Sequence, residues 1–274
     1  VTGVDDRVHH HDLETPDSIQ VRFGITYLEA DTDAATATMS MEMPRYRNPF
    51  TGTPTVGPLA ILVDAAAGIV NHYRRPSHQW TVSSELSMDV SLDGLGELDG
   101  PVIATAHSVG PVGATSLGIC TLSYDGAVIG EGTVRSFFID ADVTIREWPA
   151  ETLDLSPATP IANRMAVHVS DDDGRVLRQR VDPNLNNDVG ILHGGVAAAG
   201  LELAASAAIN DGRLDAPLRT ASLRVNFLRP FFAGDRSRYE GTALRVGRGS
   251  GIGDAQAIGD DGRVALIGRV TAYR

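Results

Sequence analysis

Residues 187–195 read Asn187-Asp188-Val189-Gly190-Ile191-Leu192-His193-Gly194-Gly195 and run directly into an apolar segment whose single acid is Glu202. A glycine-rich turn that opens a helix presents unpaired backbone N–H groups at the positive end of the helix dipole, which suits an anion or a developing oxyanion. A carboxylate two turns further along, among Ala and Leu, is expensive to bury unless it has a partner or a task. The chain writes this pattern twice. Gly52-Thr53-Pro54-Thr55-Val56-Gly57 precedes an apolar run that holds Asp64, and Gly52 to Asp64 spans twelve residues, as does Gly190 to Glu202. The two copies lie 138 residues apart.

That repeat divides the 274 residues into two units of ordinary domain size. The hydrophobic fraction of 42% is that of a globular protein, and no run approaches the roughly 18 apolar residues of a membrane helix. A formal net charge of −12 argues against general affinity for nucleic acid or anionic membranes. All 23 basic residues are Arg, so Lys-based chemistry such as a Schiff base or a phosphate-loop lysine is excluded. The one cysteine, Cys120, allows no internal disulfide and suits a reducing compartment. The first 20 residues are polar and acidic and lack the basic start and apolar stretch of a secretory signal, so a cytoplasmic location is expected.

The pattern predicts a flexible arm over 1–20, a first unit over 21–145, a linker over 146–162 and a second unit over 163–274. In the first unit Val21, Phe23, Ile25 and Tyr27 alternate as in a strand, and Ala35 to Met41 form another. Pro58 is well placed for the first turn of a helix over 59–73, apolar nearly all round and so expected to be wrapped by other elements. Four antiparallel strands follow, the first carried by Leu86, Met88, Val90 and Leu92, the last two turned by Asp125-Gly126. The second unit repeats this order: short strands at 165–169 and 176–181, the glycine turn, a helix over 195–209, and four more strands, the last pair turned by Asp261-Gly262. Each unit is therefore a long apolar helix wrapped by a curved antiparallel β-sheet, an α+β architecture made twice.

The second unit resembles the hotdog-fold thioesterases, specifically the phenylacetate-pathway type. The resemblance rests on Asn187, His193-Gly194-Gly195 and Glu202, then Thr220, Leu223, Val225, Phe227 and Pro230 on a later strand. The first unit keeps its acid, Asp64, in register, but Thr55 and Val56 stand where His and the first Gly belong, and Pro49 stands where the Asn belongs. The chain is thus similar to a double hotdog in which one polypeptide supplies both halves of a dimer.

This resemblance implies a site built across the two halves. One composite site joins Asn187, His193, Gly194 and Gly195 with Asp64 and a hydroxyl from Ser83 or Ser84; the other joins Glu202 and Thr220 with the eroded loop Pro49, Thr55 and Val56. The first is expected to work and the second to be vestigial. The implied reaction is hydrolysis of an acyl-CoA, with CoA part of the substrate and no separate cofactor. The N–H of Gly194 would stabilise the oxyanion, Asp64 would act as base or nucleophile, and Asn187 would hold water. Helical neighbours of both acids are small: Ala60, Ile61, Ala67 and Gly68 around Asp64, and Ala198, Ala199, Ala205 and Ser206 around Glu202. Small neighbours let a backbone or ligand approach.

Other features weigh less. Arg229 and Arg248 are candidates for the phosphates of a CoA moiety. His9-His10-His11 has no Cys or paired acid to complete a metal site, and none is expected. Cys120 reads as a small buried hydrophobe. Two rival functions remain: an enoyl-thioester hydratase, since Asp188 and His193 have that class's spacing, and a double hotdog that binds acyl-CoA without turning it over. Further assembly into a homo-oligomer is expected of such units.

Overall fold

A computed structural model describes residues 18–91, 93, 96–140, 148–213 and 215–274. Leu92 and the His9-His10-His11 tract lie outside these residues. The elements are α1 (Ser18–Phe23), β1 (Thr26–Asp31), β2 (Thr36–Pro44), α2 (Leu59–His72), β3 (Gln79–Val90), β4 (Asp99–Val109), β5 (Thr115–Tyr124) and β6 (Ala127–Asp140) in the first unit. The second contains α3 (Ile161–Arg164), β7 (Val167–Val169), β8 (Val176–Gln179), a 3-10 turn (Pro183–Leu185), α4 (Gly194–Ile209), β9 (Arg219–Phe227), β10 (Arg238–Val246), β11 (Ser250–Ile258) and β12 (Val264–Tyr273).

The twelve strands among the described residues form one antiparallel sheet in the order β1-β2-β4-β5-β6-β3-β9-β12-β11-β10-β8-β7. The order is the same read from either edge once the second unit's strands are matched to the first's, so two six-stranded units meet back to back at β3 and β9. That seam pairs Glu85 to Asn226, Leu86 to Val225, Ser87 to Arg224, Met88 to Leu223 and Asp89 to Ser222. Two tandem hotdog units therefore share one continuous sheet.

Helix α2 packs on β2 to β6, α4 packs on β8 to β12, and the helices pack on each other. Their sequences explain this: Leu59 to Val63 in α2 and Val196 to Leu203 in α4 are almost wholly apolar, so no face suits water, and both helices are buried between sheet and partner helix. Pro58 sits at the N-cap of α2 with φ −59°, its ring pre-set for the first turn.

Two expectations near the chain's start and middle are corrected. Val21, Phe23 and Ile25 do not begin a strand; Ser18–Phe23 is a helix, ended by Gly24 at φ +64°. The deciding spacing is Ile19 to Phe23, i to i+4, and both are buried while Val21 is exposed. Residues 18–20, read as the end of a polar arm, thus belong to folded structure. Similarly, Ile161 and Ala162, read as linker, open α3, with Ile161 in the core.

Candidate active site

The two loops that precede the long helices are built alike. In the first, the N–H of Asn48 donates to the Thr53 carbonyl at 2.8 Å and that of Thr55 to Tyr46 at 3.1 Å; in the second, Asn187 donates to Ile191 at 2.8 Å and His193 to Leu185 at 2.8 Å. Tyr46, Asn48 and Thr55 are thus the counterparts of Leu185, Asn187 and His193. Thr53 lies five positions after Asn48, whereas Ile191 lies four after Asn187. The first loop is one residue longer, and the fixed offset of 138 that placed Pro49 opposite Asn187 slips by one there. The first unit has kept its Asn, as Asn48.

The two Asn residues are used differently. Asn48 is 2% exposed and donates from Nδ2 to the Leu203 carbonyl (2.8 Å) and to Ser206 Oγ (3.0 Å) on α4, stitching its loop to the other unit. Asn187 accepts the Ile191 N–H at Oδ1 (3.0 Å), and its Nδ2 has no acceptor among the described residues. Among the described residues no hydrogen bond joins it to Asp64.

Asp64, on α2, meets the start of α4. Its Oδ2 accepts the Gly195 N–H at 2.6 Å and its Oδ1 accepts the Ser83 hydroxyl at 2.9 Å. The first N–H groups of a helix have no partner within it, and the carboxylate takes one of them. A β-bulge in β3 between Ser83 and Glu85 decides which serine reaches the acid: Ser83 does, while Ser84 donates to the Arg135 carbonyl. Gly194 and Gly195 make the approach possible. A Cβ on Gly195 would stand 2.7 Å from Ile61 Cα, and one on Gly194 would stand 2.8 Å from Asp64 Oδ2 and 3.1 Å from the Phe227 ring. Sequence reasoning missed Phe227 as a wall of this site, although it sits in the strand motif two residues beyond Val225.

His193 is the N-cap of α4. Its Nδ1 lies 3.2 Å from the Gly195 nitrogen and 3.5 Å from Asp64 Oδ2. The Gly195 N–H is shared between the ring and the acid, with Asp64 Oδ2 the nearer acceptor, so the ring caps α4 and forms a polar wall between loop and acid. Thr55 does the corresponding job in the first loop, where its Oγ1 accepts the Gly57 N–H at 3.0 Å.

The second composite cluster is also assembled. Glu202 is 1% exposed, and it accepts the hydroxyls of Thr55 and Thr220, each at 2.6 Å, on its two oxygens. Burial pushes its carboxyl above the ordinary range, against hydrogen bonds from Thr220, Thr55, Ser206 and the Gly57 N–H. A cleft lined in part by Tyr46, Val56, Leu98, Arg219 and the same two threonines lies beside it.

The arginine candidates separate. Arg229 follows Phe227 closely and donates its N–H to the Ala265 carbonyl. Arg248 lies in the β10–β11 turn, where its carbonyl accepts from Arg213, just past the C-terminal end of α4. The 16 residues of α4 place it roughly 24 Å along the helix from Gly194. The structure does not bring Arg248 to the Asp64 cluster. Burial pushes the Cys120 thiol up to about 12, which keeps it a packed thiol and not a nucleophile. No group of His, Cys, Asp and Glu among the described residues is arranged to hold a metal. No helix among them is long and apolar enough to cross a membrane.

Residues 189–266 match the family model described as Thioesterase superfamily. No curated protein matches the chain in sequence. Solved structures share its fold over nearly their whole length. An acyl-CoA thioesterase II from Mycobacterium marinum superposes with a TM-score of 0.61 at 12% identity, covering 93% of this chain and 96% of that one. A conserved protein of unknown function with hot dog fold from Alicyclobacillus acidocaldarius gives 0.51 at 14%, covering 94% and 98%. An acyl-ACP thioesterase from Bacteroides thetaiotaomicron gives 0.51 at 11%, covering 89% and 100%. At these identities the likeness is one of fold.

Proposed function

We propose that the chain hydrolyses an acyl-CoA to the free acid and CoA, in the cytoplasm, at the cluster of Asp64 and Ser83 from the first unit with His193, Gly194 and Gly195 from the second. The observation that carries this reading is the 2.6 Å contact between Asp64 and the Gly195 N–H, which sets a carboxylate against the N-terminus of the opposite unit's helix. The match of residues 189–266 to the thioesterase superfamily supports the reaction class. The named neighbours act on acyl-CoA and on acyl-ACP, whose thioesters share an acyl-pantetheine end, and CoA is the form proposed here.

In this mechanism the thioester carbonyl oxygen accepts the N–H of Gly194, which has no partner within α4, and the helix dipole favours the charge that grows there. Asp64, held at both oxygens, removes a proton from a water that attacks the carbonyl carbon. The tetrahedral intermediate collapses, the C–S bond breaks, and the thiolate takes up the proton. Asn187, whose Nδ2 has no acceptor among the described residues, orients the attacking water from the loop. An oxyanion donor contributes about 2.7–4 kcal/mol and a placed base about 10²–10⁴-fold, enough for useful rates without a metal.

The Glu202 cluster is assigned a structural role. Burial favours the protonated form of its carboxyl, and Val56 stands where Gly194 leaves space. A hydratase needs Asp188 and His193 to work together, yet the His193 ring faces Gly195 and Asp64. A binding-only protein is the second reading, kept by the altered first-unit loop, where Thr55 and Val56 stand opposite His193 and Gly194. Free-thiol release from acetyl-, hexanoyl-, palmitoyl-, benzoyl- and phenylacetyl-CoA separates these readings. Release with any of them supports hydrolysis, and none with all of them leaves binding.

A further inference from the structure

A buried charge cluster joins α1, the segment before α3 and the 3-10 turn, and no step of the hydrolysis uses it. Arg22, with its side chain 3% exposed, donates from Nη1 to Asp182 Oδ2 at 2.9 Å and to the Arg164 carbonyl at 3.0 Å, and it also pairs with both oxygens of Glu151. Arg164 donates back to the Arg22 carbonyl at 2.8 Å and to the carbonyls of Leu155 and Ser156. The two arginines are counterparts. Each lies at the end of a short helix, two residues before a positive-φ position (Gly24 and Ala166) that leads into the unit's first strand.

What the counterparts face is not alike. The loop pairing of Tyr46 with Leu185 and Asn48 with Asn187 places Met43 opposite Asp182, and Met43 is a buried apolar residue. Arg22 therefore meets two carboxylates, whereas Arg164 meets carbonyls and has no ion pair among the described residues. Burial alone would raise the Glu151 carboxyl, but hydrogen bonds from Arg22 and the Leu153 N–H hold it below the usual range, so Glu151 faces Arg22 as a carboxylate at neutral pH.

The ion pair leads to one loop only. Asp182 caps the 3-10 turn, its Oδ1 accepting the Asn184 N–H at 3.0 Å and its carbonyl the Leu185 N–H at 3.1 Å. The Leu185 carbonyl in turn accepts the His193 N–H at 2.8 Å. Residues 193–195 hang from that turn, and they set where the free N–H groups stand relative to Asp64.

We propose that Arg22 is a positioning residue: through Asp182 it fixes the turn that carries His193, Gly194 and Gly195, and this bracing is given to the working loop and withheld from its counterpart at Thr55. The inference rests on the Asp64 cluster being the active one. A reaction that depends on sub-ångström placement is sensitive to such a brace, since a 1 Å displacement costs about 100-fold in rate.

The test combines amide hydrogen exchange with thiol release on Arg22→Met, Arg22→Lys, Asp182→Asn and Arg164→Met. Faster exchange at His193 and Gly195 is expected in Arg22→Met and Asp182→Asn, partial protection in Arg22→Lys, and unchanged protection in Arg164→Met. In the same two variants kcat should fall about 10- to 100-fold with KM little changed, and the Arg22→Met, Asp182→Asn double variant should be no worse than either single one. Unchanged exchange at His193 and Gly195 in Arg22→Lys and Asp182→Asn overturns the brace. Faster exchange with wild-type kcat overturns its part in catalysis. If the wild type releases no thiol, the hydrolase reading fails while the exchange data still decide whether Arg22 holds the loop.

Discussion

Asp64 and Gly195 belong to different units, yet the carboxylate of one takes the backbone N–H of the other at 2.6 Å, and it reaches the Ser83 hydroxyl with its second oxygen. One acid thus ties the two long helices and faces the end of α4 where negative charge is best tolerated. Its removal should abolish chemistry while leaving the other cross-unit ties in place, among them Glu202 with Thr55, Asn48 with Leu203 and the β3–β9 seam. Asp64→Asn is expected to lower kcat for thiol release by about 10²–10⁴-fold. Glu202→Gln should retain most of the activity. The reverse pattern would show that the working site uses the other pair of halves.

The bulge in β3 makes a sharper test. Ser83 and Ser84 are chemically the same, but only Ser83 donates to Asp64. A hydrogen bond to a charged group is worth about 1.5–3 kcal/mol, which is roughly 10- to 100-fold in rate if it orients the base. Ser83→Ala should lose activity in that range and Ser84→Ala should stay near wild type. Equal effects in steady-state kinetics would mean the bulge register does not matter to the reaction.

Much of this arrangement was legible because a few chemical patterns are local. The apolar helices, the glycine turn, both acids and the repeat follow from spacing alone, whereas the pairing of opposite loops and acids comes from the resemblance to a double hotdog. What was not legible depends on backbone detail. A single extra residue in the first loop hid Asn48 behind Pro49, because a constant offset cannot see an insertion. The β3 bulge left Ser83 and Ser84 equivalent on paper. The Ile19–Phe23 helical pair was masked by an accidental alternation with Val21. Arg22 carried no signal at all, since its partners Glu151 and Asp182 lie more than a hundred residues away in sequence.

Adjacent glycines at the helix start should respond differently to a methyl group. In Gly195→Ala the new Cβ meets the backbone of α2, at Ile61 Cα (2.7 Å) and the Ala60 carbonyl (2.9 Å), so the helices must separate. Overpacking of this kind costs about 1–3 kcal/mol, and a lower unfolding midpoint is expected. In Gly194→Ala the nearest atoms are the side-chain ends of Asp64 and Phe227, which can move. That variant should keep most of its stability and lose thiol release. Equal thermal destabilisation of both would argue that Gly194 serves only packing.

Glu202 gives a prediction in pH. Burial raises its carboxyl above the ordinary 4.5, so the folded protein holds a proton that the unfolded chain has released over the window from about 4.5 up to the raised value. Stability from this group is complete below 4.5 and declines as pH rises through that window. Glu202→Gln carries no titrating proton, and its amide can still accept from Thr55 and the Gly57 N–H while donating to Thr220, whose hydroxyl rotates. The wild type should therefore lose urea resistance relative to Glu202→Gln as pH rises above about 4.5. A constant difference in midpoint across that range would show that Glu202 is ionised in the fold, held as a carboxylate by its two threonines, and would return it to the list of groups able to act as a base.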